Sequence, residues 1–106
     1  MLPYDLTRSA ENDLEEIARY TIERWGSRKA KQYAAAFDAC FIKLAEGEVV
    51  ARVFSETLPH VHVTRCGQHY VFFLRTAQRR PCIIAVLHER MEILERLKDR
   101  LNKGLR

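Results

Sequence analysis

Apolar and polar positions change rhythm twice along this chain. From Ala10 the period is helical: Ala10, Leu14, Ile17, Ala18, Thr21, Ile22 and Trp25 fall on one face. Thr7 or Ser9 serves as N-cap, and Glu11, Asp13, Glu15 and Glu16 crowd the first turns, where negative charge complements the helix dipole. Gly26 predicts the stop, and Ser27 predicts the cap of a second helix. The apolar face of that helix carries Ala30, Tyr33, Ala34, Phe37, Phe41, Leu44 and Ala45, and Gly47 ends it. Two helices joined by so short a turn fold back as an antiparallel hairpin. A short strand over residues 4–7 precedes them.

Residues 48–59 read as irregular, and then the period becomes that of strands. Three are expected, over residues 60–66, 69–76 and 81–88. Gly67-Gln68 makes a tight turn between the first two, and Ala77-Gln78-Arg79-Arg80 before Pro81 makes the second. The first strand alternates Val61 and Val63 with His60, His62 and Thr64, as a half-exposed strand does. The last two are apolar on both faces, which places them in the middle of a sheet covered on one side by the earlier part of the chain. After His88 the helical period returns in Met91, Leu94, Leu97 and Leu101, with Glu92 four residues before Arg96 and Asp99 four before Lys103. This third helix, of about fourteen residues, is too short to stand alone and docks on the sheet or on a partner. The expected class is α+β: an N-terminal strand and a two-helix antiparallel hairpin packed on a small antiparallel sheet, with a C-terminal helix.

The 106 residues suit a single domain, 1–106, with one sizeable core. No apolar run approaches the ~20 residues of a membrane span, and Met1-Leu2-Pro3-Tyr4-Asp5 lacks the basic region and apolar core of a signal peptide. A cytoplasmic protein without membrane contact is expected. The net charge of +4 conceals an asymmetry: residues 1–48 carry −2 and residues 49–106 carry +6. A basic half fits a polyanionic or acidic partner, or simply a solvated surface. Cys40, Cys66 and Cys82 are odd in number, lack CxxC spacing and sit inside apolar patterns. They read as small buried hydrophobes rather than ligands, nucleophiles or disulfide partners.

Little in the chain points to catalytic chemistry. His60 and His62 share a strand face, but no third ligand is spaced to complete a metal site, so neither metal nor cofactor is expected. There is no phosphate-binding Gly-rich loop and no GxSxG elbow. The carboxylates are explained by helix starts and i,i+4 pairs, and no acid/base pair stands out. What remains is the basic set Arg65, Arg75, Arg79, Arg80, His88 and Arg90. Such a set can hold a phosphate backbone and pass protons, or hold the acidic side chains of a protein.

Five strings, in order over most of the chain, resemble one family. They are Leu6-Thr7 with Ala10-Glu11-Asn12-Asp13-Leu14; Tyr20-Thr21 with Arg24-Trp25-Gly26; Tyr33 with Leu44-Ala45-Glu46-Gly47; Cys66 with His69-Tyr70-Val71-Phe72; and Ala85-Val86-Leu87-His88-Glu89-Arg90-Met91. Together with the order strand, helical hairpin, three strands, helix, they resemble the ParE toxins of the RelE/ParE toxin superfamily, plasmid-stabilisation members above all. The resemblance implies a toxin of a type II toxin–antitoxin module. Such a toxin poisons DNA gyrase, stabilises cleaved DNA and blocks replication, touching DNA only through gyrase. It implies a ParD-type antitoxin in a hetero-oligomer such as a heterotetramer. It implies no catalytic residues, the toxin acting as a protein inhibitor of a topoisomerase. By position, the inhibitory surface comprises His88, Arg90 and Met91, supported by Arg65 and Arg75. Trp25, Tyr33 and Phe37 become antitoxin anchors. The alternative within the superfamily is a RelE-like ribosome-dependent mRNA endoribonuclease, which relies on a basic cluster and a late Tyr or His. Here no Tyr follows Tyr70, and neighbouring strand residues His88 and Glu89 point to opposite faces. A further alternative is an inactive homologue that only binds antitoxin.

Overall fold

A computed structural model describes residues 2–75, 79–90 and 92–102. Among them the order is β1 (Asp5–Leu6), α1 (Arg8–Trp25), α2 (Ser27–Ala45), β2 (Arg52–Ser55), β3 (Leu58–Cys66), β4 (His69–Leu74), β5 (Cys82–His88) and α3 (Ile93–Asn102). Of the two candidate caps, Thr7 starts α1: its backbone is extended and its Oγ1 accepts the Ala10 N–H at 3.1 Å. Gly26, at φ +91°, ends α1 and begins α2, a conformation that a side chain would strain. Ser27 is therefore the first helical residue and not the cap.

The strands form one sheet in the order β1-β5-β4-β3-β2. It is antiparallel from β2 to β5, but β1 joins β5 in parallel, so the sheet is mixed rather than wholly antiparallel. The backbone bonds Asp5 N to Pro81 O and Thr7 N to Ile83 O lock that edge. β2 lies within the segment that reads as irregular. It is an edge strand of four residues with Val53 turned outward, so no buried alternation marks it. Thr76 of the expected strand, Ala77 and Gln78 of the expected turn, and Lys103, expected to pair with Asp99, fall outside the described residues.

β4 sits at the centre and divides two cores. Val71 and Phe73 face the helical hairpin with Tyr4, Phe37, Phe41 and Leu44, while Phe72 faces the opposite side with Val61, Val63, Leu87 and Leu97. The register shifts between Phe72 and Phe73: Phe72 pairs with Ala85 but Phe73 with Ile83. The extra residue is Ile84, and this β-bulge turns both Ile84 and Ala85 toward the second core. The sheet is thus covered on both faces, with α3 docked on the second. The docked face of α3 is Ile93, Leu97 and Leu101; Leu94, expected there, is 54% exposed.

Candidate functional site

One end of the sheet gathers most of the residues singled out from the sequence. The two-residue turn after β3 is set by Gly67, whose φ of +62° suits glycine at the first turn position. It brings Cys66 opposite His69 and, through β4, His69 opposite His88 at the end of β5. The Glu89 N–H donates to Gln68 O at 3.0 Å, so the β3–β4 turn and the exit of β5 form one surface.

Arg65 is held there by three contacts. Its Nε donates to Gly67 O at 2.8 Å, its Nη2 pairs with the Glu89 carboxylate, and its guanidinium lies 5.4 Å from the Tyr70 ring centroid. The His69 and His88 rings meet edge to face with centroids 5.1 Å apart, and His69 also meets Phe37 edge-on at 5.4 Å. Burial holds the His69 pKa below the usual histidine value; the neighbouring His88 adds to this and Glu89 opposes it. His88 Nδ1 accepts the Arg90 N–H at 3.1 Å, which leaves the ring proton of neutral His88 on Nε2. Arg90 is exposed at the tip. Met91 lies outside the described residues.

Arg75 does not join this group. It follows the far end of β4, donates from Nη2 to Leu44 O at 2.7 Å and lies 5.6 Å from the Phe73 ring, capping the C-terminus of α2. Arg80 is also structural: it donates to Leu2 O and to Asp5, both at 2.8 Å, and so clamps β1. His62 stacks on Phe73, and its Nδ1 lies 3.2 Å from His60 O. Among the described residues no three His, Cys, Asp or Glu side chains gather as metal ligands.

The hairpin presents a second surface. Trp25 is 66% exposed, and Tyr20, Ile22 and Tyr33 are also exposed. Arg24 lies over the Tyr20 ring at 5.5 Å and Lys29 over Tyr33 at 5.9 Å. The helical period sets Ile22, Trp25 and Tyr33 on the apolar faces of the two helices; the structure turns them outward. Phe37, by contrast, is buried against Phe41 and His69, so it supports the histidine pair from beneath and offers no ring to a partner.

Two features escaped the sequence reading. His69, expected only as the first residue of a strand beside the Gly67-Gln68 turn, is the neighbour of His88. Glu89 acts with Arg65 rather than with His88. Both follow from strand register, which a turn of known length and a count back along β4 would have shown.

Residues 4–93 match the family model for the ParE toxin of the type II toxin–antitoxin system parDE. The chain is 42% identical over 101 residues to the protein named Toxin ParE of Escherichia coli, covering 95% of this chain and 98% of that one. It is 34% identical over 91 residues to Toxin ParE1 of Caulobacter vibrioides, covering 86% and 93%. A solved structure titled as a chromosomal ParDE TA system from P. aeruginosa superposes with a TM-score of 0.67 at 21% identity, covering 83% of this chain and 96% of that one. That likeness shows the same fold.

Proposed function

The chain belongs to the ParE toxin family, and from that premise we propose that it poisons DNA gyrase and is neutralised by a ParD-type antitoxin. The observation that carries this reading is the near-complete match to the E. coli Toxin ParE, with identity spread over 95% of the chain. The proposed action is binding without catalysis, in the cytoplasm, with cleaved DNA stabilised on gyrase. The inhibitory surface is the sheet end, with His88, Arg90 and, by its place next in the chain, Met91, and with Arg65 held in place by Glu89 and Gly67. Arg75 contributes only by holding α2 against the sheet.

The antitoxin surface is the outward face of the hairpin, anchored by Trp25 and Tyr33. Exposed aromatic rings flanked by Arg24 and Lys29 suit a partner segment that mixes apolar and acidic side chains. The basic C-terminal half would speed capture of such a segment, an effect that salt weakens.

One observation favours ribosome-dependent mRNA cleavage as a second reading: the His69–His88 contact beside Arg65 is the one pairing of titratable rings at a basic surface among the described residues. Two assays separate the readings. Purified protein is incubated with gyrase, plasmid and ATP, and linear DNA is scored after detergent and protease. Linear product that added antitoxin suppresses supports the gyrase reading. Normal supercoiling without linear product, with cleavage of ribosome-bound mRNA, supports the other.

A further inference from the structure

We propose that Cys40 and Cys66 form a reactive thiol pair that closes to a disulfide under peroxide, stapling α2 to the β3–β4 hairpin. The pairing comes from tertiary structure. Cys66 ends β3, and its Sγ lies 4.0 Å from Ala36 O on α2. Cys40 stands one helical turn beyond Ala36, and helical side chains lean toward the N-terminus, so its sulfur is directed toward the same turn of α2. Both thiols pack on the core beneath α2, and each perturbs the titration of the other. Neither is fully buried, so a small oxidant can reach them. Cys82 belongs to the core on the opposite face of the sheet and is excluded from the pair.

The environment assigns the roles. The neighbouring Cys66 thiol lowers the Cys40 pKa to about 7 against the opposing effect of burial, and Lys43, three residues on, assists. The same contact, together with burial, raises that of Cys66. Cys40 is therefore the attacking thiolate, with a pKa in the range where nucleophilicity and thiolate fraction are both substantial. Its sulfur attacks hydrogen peroxide: an S–O bond forms, the O–O bond breaks, and the hydroxide that leaves takes up the proton Cys40 shed. Cys66 sulfur then attacks the sulfenic acid: the S–S bond forms, the S–O bond breaks, and water leaves with the Cys66 proton. Two thiols lose two electrons and one peroxide becomes two waters. The bond lies beside the Phe37–His69 contact, and it stands independently of whether gyrase is the target.

Trypsin separates the three cysteines, onto peptides 32–43, 66–75 and 80–90. The reduced full-length chain is treated with hydrogen peroxide, alkylated with iodoacetamide and digested without reductant. The expected result is loss of two of the three alkylatable thiols, with peptides 32–43 and 66–75 joined and peptide 80–90 still alkylated. Dithiothreitol restores all three, C82S behaves as wild type, and C66S accumulates a dimedone-trapped sulfenic acid on Cys40. A persistent sulfenic acid on Cys40 of the wild-type chain, a cross-link to peptide 80–90, or three unmodified thiols after peroxide would overturn the proposal.

Discussion

Arg100 on α3 and Asp13 on α1 meet in a bidentate ion pair, Nη1 to Oδ2 at 2.6 Å and Nη2 to Oδ1 at 3.0 Å, across 87 positions of sequence. The pair seals a gap that the fold itself creates. β1 is so short that it covers only Cys82 and Ile83 of β5, and past it the bulged edge of β5 would be left without partners. Asp13 Oδ2 accepts the Val86 N–H at 2.9 Å, Arg100 Nη1 donates to Ile84 O at 3.0 Å, and Thr7 Oγ1 reaches the same carbonyl at 3.5 Å. Asp13 and Arg100 side chains are only 11% and 16% exposed, so removing either leaves a nearly buried charge, and removing Asp13 also orphans the Val86 N–H.

Asp13→Ala is accordingly expected to destabilise by about 3 kcal/mol, and Arg100→Ala by about 2–3 kcal/mol, the smaller loss reflecting that Asp13 keeps its Val86 bond. Urea unfolding followed by far-UV circular dichroism checks this. Midpoints within experimental scatter of wild type would show that water satisfies the β5 edge equally well.

That pair also marks where sequence reading stops. The hairpin, the three long strands and α3 were legible because each repeats one period over enough residues to expose a core face. β2 was not, because four residues on a sheet edge bury too little to leave a pattern. Asp13 looked like one more acid complementing a helix dipole, and nothing in its local sequence singles out Arg100; only the docking of α3 brings them together. His69 and Cys66 had the same fate: their local context spoke of a turn and of a small hydrophobe, while their neighbours, His88 and Cys40, lie on other elements. Trp25 shows the reverse: helical spacing sets it on the apolar face of α1, but the end of the helix presents the ring to solvent.

Trp25 and Phe37 therefore separate stability from recognition. Trp25→Ala is expected to change stability by less than about 0.5 kcal/mol, as exposed substitutions do, yet to weaken antitoxin binding about tenfold or more. Phe37→Ala, which empties a site between Phe41 and His69, is expected to cost about 3–4 kcal/mol. Calorimetric melting together with titration by the antitoxin distinguishes them. A large melting loss in the Trp25 variant would put that ring in a packed environment.

His69 predicts a pH dependence with a definite sign. Burial lowers its folded-state pKa, so the unfolded chain binds a proton more readily than the folded one. Above the ordinary histidine pKa of about 6.5 the ring is neutral in both states and contributes no dependence. As pH falls below that value the unfolded state is favoured and stability declines, down to the lower folded-state pKa. His69→Phe keeps a ring against Phe37 and removes the proton, so its melting temperature is expected to lose this component between pH 7 and 5. Parallel profiles for the two proteins would assign the decline to other groups.

Arg90 tests the proposed inhibitory surface most directly. Its backbone N–H is tied to His88, while its side chain is exposed beyond the end of the sheet. Truncating it therefore leaves the fold intact and removes only what a partner would touch. Arg90→Ala is expected to raise the concentration needed for gyrase-dependent linear DNA about tenfold, with melting temperature and antitoxin affinity unchanged. Met91→Ala belongs to the same test, by its place next in the chain. Glu89→Gln supplies the control for positioning: it weakens the charged contact that holds Arg65 but leaves Arg90 in place, so its effect should be smaller. Full potency in both the Arg90 and Met91 variants would move the inhibitory surface away from the exit of β5.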